Sequence, residues 1–218
     1  MFTNAIVRTP GRSIVEGLSD SKTLGLPNYE QAIIQHQSYI DALTKCGLDV
    51  FVLESCEEYP DSTFVEDVAL ITPNCAIITR PGAPSRRGEV NEIEYILKQK
   101  FNNIEAIEAP GTIEGGDIMM VGNHYYIGLS ERTNLEGAKQ IIQILNKYRM
   151  SASTISLKKV LHLKTGLSYL EKNNLVVCGE FINDSLFEQF NPIEIPKKES
   201  YAANCIWVNE SVIIPLGY

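Results

Sequence analysis

The sequence predicts an α/β fold made of five successive units of strand, strand, helix, strand, and three observations predict it. Short apolar runs come in pairs split by turn residues. A segment of helical periodicity and then a single strand follow most pairs. The pattern recurs at intervals of roughly 40 to 60 residues, as in radial or stacked architectures. Such units fit a ring with strands toward the axis and helices outside. An α/β sheet of irregular strand order is the plainer alternative.

NAIVRTP (4–10) belongs to the first unit. It leads to the helical NYEQAIIQHQSYIDALTKCG (28–47), with Gly47 as a C′ residue, and then to the strand LDVFVLES. The second unit pairs DVALI with CAIITR across TPN (67–80), then continues with the helix EVNEIEYILKQKF (89–101) and the strand IEAIEA. In the third, DIMMV and HYYIGL meet across GN (117–129), before the helix NLEGAKQIIQILNKY (134–148) and STISLKK. Thr133 and Glu136 have the spacing of a capping box for that helix. The fourth pairs LHLKTGLSYL with LVVCG across EKNN (161–179), followed by a short helical NDSLFEQF (183–190) and PIEIP. The fifth pairs ANCIWV with SVIIPL across NE (203–216) and stops at Tyr218. By comparison with the other units it lacks a helix and a closing strand, so residues 1–218 are expected to be one domain without its C-terminal piece. An open ring exposes sheet edges and apolar helix-binding surface.

With 218 residues, 44% of them hydrophobic, the chain can bury an ample core. A net charge of −8 and a pI near 5.0 argue against a nucleic-acid partner, which needs a basic face, and are compatible with a cationic ligand. The start, MFTNAIVRTP, lacks the basic-then-apolar pattern of a signal peptide, and no run of about 18 apolar residues indicates a membrane span. Five cysteines without CxxC spacing read as reduced thiols of a cytoplasmic protein.

Polar residues interrupt the apolar pattern at matching points of the units. Glu66 and Asp67 open the second pair in FVEDVAL, where strand alternation would send them to opposite faces. Glu114 and Asp117 flank Gly115 and Gly116, which allow unusual backbone geometry or the close approach of another group. His162 stands between apolar neighbours in VLHLKTG, and Asp61 lies in the turn-like PDST. Arg86 and Arg132 each precede a helix, where a cation opposes the macrodipole; a carboxylate gripped bidentately would explain the repetition. Each has a plainer reading: a solvated strand start, turn chemistry, a satisfied core histidine, arginines paired with nearby glutamates. Cys205 tempts as a nucleophile but sits mid-strand among apolar residues, where cysteine is usually inert. His36 and His124 look like surface positions and take no role.

Taken together, acids, a histidine and two arginines suit a zwitterionic substrate bearing an extra cation. A histidine beside a glutamate can serve as general acid and base. Neither metal-ligand spacing nor a phosphate loop is present, so no metal and no cofactor are indicated. Attack on a guanidinium carbon calls for a thiolate.

FVEDVALITPNCAIITRPGAPSRRGEV, GTIEGGDIMMVGNHYYIGLSERTN, VLHLKTGLSYL and AANCIWVN, in this order, resemble the dimethylarginine dimethylaminohydrolases of the guanidino-group-modifying superfamily. The likeness runs from about residue 5 to the end of the chain. It implies a five-bladed α/β propeller, the pentein fold, and hydrolysis of methylated arginine to citrulline and a methylamine through a covalent cysteine intermediate. By this resemblance His162 protonates the leaving amine and later activates water, and Glu114 orients it. Glu66 and Asp67 match substrate-binding acids, with Asp67 on the guanidinium. Asp61, Arg86 and Arg132 match residues that hold the amino-acid end, and Leu18, in EGLSDS, falls in the segment that closes over substrate. The family's nucleophilic cysteine lies after the closing strand of the fifth unit, beyond residue 218, and is not Cys205. The resemblance implies a small guanidino amino acid as partner and admits a homodimer. An arginine deiminase-like enzyme and a non-catalytic pentein binding protein are the alternatives.

Overall fold

The structure is a computed structural model that describes residues 1–19 and 25–217. Strand β1 (Asn4–Arg8) is followed by helix α1 (Tyr29–Lys45), capped by the Asn28 side chain accepting from the Gln31 amide, and by β2 (Asp49–Leu53). Gly47 leaves the helix at φ +86°, a left-handed conformation that glycine adopts without steric cost. A 3₁₀ turn (Val65–Val68) opens the second unit, then come β3 (Ala69–Ile71), β4 (Ala76–Ile78), helix α2 (Val90–Lys100) and β5 (Ile104–Ala106). Strands β6 (Ile118–Val121) and β7 (His124–Leu129) precede α3 (Leu135–Lys147) and β8 (Ser151–Ser156). A one-turn helix α4 (Leu163–Gly166) introduces β9 (Leu167–Tyr169), β10 (Asn174–Cys178) and β11 (Asn191–Ile195). The described chain closes with β12 (Ile206–Val208) and β13 (Ser211–Ile213).

Among the described residues the strands form five separate sheets, not one sheet of irregular order. Three are complete, with an antiparallel pair extended by a parallel third strand: β3-β4-β5, β6-β7-β8 and β9-β10-β11. The other two are two-stranded, the parallel β1-β2 and the antiparallel β12-β13. The strand, strand, helix, strand unit is complete twice, as β3-β4-α2-β5 and β6-β7-α3-β8; the β9-β10-β11 unit has only a 3₁₀ turn (Ser185–Phe187) in place of its helix, and the first and last units are two-stranded.

Helix–sheet packing follows the apolar spacing. Ala138, Ile141 and Leu145 of α3 fall on one face and bury against Ile113, Ile127 and Tyr125. Ile93 and Leu97 of α2 pack against Ala76 and Ile78 in the same way. The first and last strand pairs touch: Val7, Leu43 and Leu48 share a cluster with Val208. Asn209 clasps Phe2, accepting from its amide and donating to its carbonyl at 2.7 Å each. Exposed apolar side chains remain on the last pair and just after it: Val212, Ile214 and Leu216. Among the described residues no helix is long and apolar enough to cross a membrane.

Candidate active site

The 3₁₀ turn at 65–68 settles the two acids of FVEDVAL. Strand β3 begins only at Ala69, so alternation does not place them. Glu66 points outward and pairs with Lys164 Nζ, whereas Asp67 is buried. One oxygen of Asp67 accepts from the Gly116 amide at 2.9 Å and the other from Arg86 Nη1 at 2.8 Å.

Gly115 and Gly116 serve by leaving room, since neither has a positive φ. A Cβ on Gly115 would collide with the Glu66 carbonyl, and one on Gly116 would come within 3.0 Å of both Asp67 Oδ1 and the His162 ring. The glycines let three polypeptide segments converge, and Glu114, Asp67 and His162 meet there. Glu114 is 1% exposed, with Oε1 accepting from the Gly82 amide at 3.0 Å and Oε2 lying 3.3 Å from His162 Nε2.

His162 does not lie on a strand, as its apolar neighbours suggested. It is the N-cap residue of α4 and its backbone carbonyl accepts from Thr165. The cause is the wholly buried Leu163, which anchors the turn in the core and leaves the histidine facing inward across Gly116. Burial pushes the imidazole pKa down, but the carboxylates of Asp117 and Glu114 outweigh that and hold it up at about 10. The ring is therefore an imidazolium at neutral pH.

Arg86 departs from the expectation that it grips a ligand carboxylate. Its guanidinium is turned inward, forked onto Glu89 at 3.0 and 2.8 Å, bonded to Asp67 and 3.8 Å from Glu114 Oε2. A buried guanidinium needs carboxylate partners, and this chain supplies them. Burial alone would lower the arginine's pKa; Glu89 and Asp67 raise it instead. Arg132 behaves differently: it is half-buried, and its side chain makes no ion pair with any described residue.

Asp61 is buried, and its carboxylate accepts from the Leu18 amide at 3.0 and 3.2 Å; Gly17 permits the approach. Leu18 is itself half exposed. Asp20 and Ser21 of EGLSDS lie outside the described residues. Cys205 precedes β12, packed with Val176, Cys178 and Ala203, and burial pushes its thiol pKa up, away from a reactive thiolate. His36 and His124 are half-buried, not superficial; His124 bonds Ser151 and Ser153.

Donor atoms of Asp67, Glu114 and His162, which stand at matching points of three successive units, lie within 4.8 Å of one another. Arg86 Nη1 already supplies the positive charge to both acids, so the cluster is a cradle for a guanidinium. Two clefts of about 220 and 300 Å³ flank the β12–β13 pair, away from this cluster. Sequence reasoning gave Asp117 no task, although the structure places it against His162 Nδ1 at 3.3 Å. Its spacing from Glu114 across two glycines was the available sign.

Comparison with known proteins agrees with this chemistry. The family described as N,N dimethylarginine dimethylhydrolase, eukaryotic, matches residues 23–203. The N(G),N(G)-dimethylarginine dimethylaminohydrolase of Pseudomonas aeruginosa is 58% identical over 219 residues, 100% of this chain and 86% of that protein. That of Streptomyces coelicolor is 32% identical over 190 residues, covering 87% and 74%. A solved structure of the Pseudomonas aeruginosa enzyme, a cysteine-to-serine mutant complexed with citrulline, superposes with a TM-score of 0.98 at 57% identity, covering 100% of this chain and 86% of that one. The N-terminal domain of ArgZ, a cyanobacterial arginine dihydrolase, shares the fold at a TM-score of 0.87 and 16% identity, covering 98% and 83%. A buried acid–histidine centre, an α/β fold, a family match over residues 23–203 and a 58% identical relative aligned along all of this chain converge on one assignment: the chain belongs to the dimethylarginine dimethylaminohydrolase family.

Proposed function

We propose that this protein hydrolyses Nω-methylated arginine to citrulline and a methylamine. The observation that carries the reading is the Arg86 guanidinium lodged against Asp67 and Glu114 beside His162: these buried acids are built to receive the functional group of the substrate. Substrate guanidinium would bind Asp67, with Glu66 at the rim. Arg132, with no ion pair among the described residues, takes the α-carboxylate. Asp61 and the Leu18 amide border the amino-acid end. Arg86 then serves as counter-ion to the acids.

In the reaction a cysteine thiolate attacks the guanidinium carbon and forms a C–S bond. His162 Nε2 delivers its proton to the departing amine as the C–N bond breaks. The neutral imidazole next takes a proton from water, whose oxygen displaces sulfur and leaves citrulline and thiolate. Glu114 faces Nε2 throughout and keeps it aimed at the reacting atoms. None of the cysteines of residues 1–218 is assigned as that nucleophile: Cys46, Cys75, Cys178 and Cys205 pack in apolar clusters, and Cys56, whose backbone carbonyl accepts from the Ser62 hydroxyl, belongs to none of the elements that carry Asp67, Glu114 or His162. The thiolate comes from a cysteine beyond residue 218, on a segment that adds a helix and a strand to the β12–β13 pair and covers Val212, Ile214 and Leu216. With that segment the units close into a five-bladed propeller. We place the enzyme in the cytoplasm, without nucleic-acid or membrane partners.

The test is citrulline release by the full-length protein from dimethylarginine and from arginine. Dimethylarginine is expected to turn over faster, and His162→Ala to lose about 10²-fold or more in rate. Faster turnover of plain arginine would move the reading to a deiminase; unchanged release by His162→Ala would sink the mechanism.

A further inference from the structure

Asp117 is wholly buried, a costly position for a carboxylate unless donors surround it. Four groups converge on it. Oδ1 accepts from the Leu163 amide at 3.0 Å, and Oδ2 accepts from the hydroxyls of Ser130 at 2.7 Å and Thr133 at 2.6 Å. The fourth is His162 Nδ1, 3.3 Å from Oδ2. That last contact is oblique and not a directed hydrogen bond, and Nδ1 is buried with no other partner. The reason is competition, because Oδ2 already takes two hydroxyls.

The donors around Asp117 lead back to the rest of the site. Thr133 Oγ1, which donates to Asp117, accepts from the Glu114 amide at 3.2 Å. Ser130 Oγ accepts from the amides of Arg132 and Thr133 at 3.0 and 3.1 Å. The Leu163 amide fixes the residue directly after His162. One carboxylate thus ties the turn carrying Arg132, the backbone of Glu114 and both sides of the histidine.

We propose that Asp117 is a positioning residue for His162: by pinning the Leu163 amide and facing Nδ1–H, it presents Nε2 to Glu114 and the reacting atoms. Glu114 alone does not decide which nitrogen faces the substrate, since a flipped ring would offer Nδ1 instead. Asp117 removes that freedom, and it leaves Nε2 as the nitrogen that gives and takes the proton. The inference deepens the hydrolase reading above and rests on it for its catalytic meaning, but not for its geometry.

The experiment uses the full-length protein with ¹⁵N-labelled histidine. At neutral pH wild type is expected to show a slowly exchanging proton on His162 Nδ1. In Asp117→Asn that proton is expected to exchange too fast to observe, while the His124 signals stay in place. Citrulline release in Asp117→Asn is expected to lose about tenfold or more in kcat with KM within about twofold, the pattern of a misaimed proton donor. Two results overturn the proposal: a wild-type His162 with no proton on Nδ1, or a folded Asp117→Asn variant with an unchanged Nδ1 signal and kcat. Should Asp117→Asn fail to fold, the tautomer of wild-type His162 after it loses one proton decides: a proton kept on Nδ1 is expected, and one kept on Nε2 overturns the proposal. A wild type that releases no citrulline, yet loses its protected Nδ1 proton in Asp117→Asn, would count against the hydrolase reading and for the positioning role.

Discussion

Glu66 and Asp67 are adjacent and chemically alike, yet the 3₁₀ turn sends one to solvent and one to the interior. Their energetic weights differ accordingly. An exposed pair such as Glu66–Lys164 gains little over its solvated ions. A buried acceptor between an arginine and an amide leaves both donors short when it is lost. Glu66→Gln is therefore expected to change unfolding free energy by no more than about 0.5 kcal/mol. Asp67→Asn is expected to cost about 1–3 kcal/mol, with Arg86 retaining Glu89. Urea unfolding of the two variants, side by side, checks the contrast; equal effects would mean that the buried arrangement contributes nothing special.

At the scale of elements, α3 and the loop between β5 and β6 are joined by one side chain. Asn134, not Thr133, caps the helix, accepting from the Gly137 amide at 2.8 Å and the Thr112 amide at 3.0 Å. Its amide nitrogen donates to the Pro110 carbonyl at 3.0 Å. The capping-box spacing of Thr133 and Glu136 misled because Thr133 spends its hydroxyl on Asp117. Asn134→Ala is expected to cost about 1–2 kcal/mol, from the lost cap and orphaned loop amides. Hydrogen exchange should accelerate first at Thr112 and Gly137. Equal acceleration in Thr133→Ala would return the capping role to threonine. A second clasp acts on the segment before His162: Glu180 accepts from the amides of Lys158, Lys159 and Val160, holding the approach to α4 from outside.

At the scale of the whole molecule, pH reaches stability through His162. The folded imidazole holds its proton to about pH 10, whereas an unfolded histidine releases it near 6.5. Below the unfolded value both states are protonated and the stabilising contribution is complete. Above it only the folded state stays charged, and the contribution is lost as pH rises through the folded value. The urea midpoint is therefore expected to decline between pH 6.5 and about 10, and His162→Gln to flatten that decline. A slope unchanged by the substitution would show that other groups carry it. The same scale contains the junction of the first and last strand pairs, where Phe2 meets Trp207 edge to face, with ring centroids 6.3 Å apart. The Asn209 clasp completes it, so the two ends of the described chain share one cluster.

Much of this protein was readable from its residues. Local periodicity determined the helices at 29–45, 90–100 and 135–147 and the strand pairing within each unit, because an apolar face declares itself through spacing alone. The turn at Gly47 and the acids, histidine and arginines at matching points were visible for the same reason, and the resemblance supplied their chemistry. Other features required the tertiary structure. His162 on a helical turn, Arg86 turned inward, Thr133 diverted from its cap and Asp117 behind the imidazole all depend on side chains far apart in the sequence. Residues 67, 114 and 162 share one site only once Gly115 and Gly116 let the segments that carry them approach. Spacing along the chain encodes which face a residue occupies; burial and competition among distant donors decide which partner it takes.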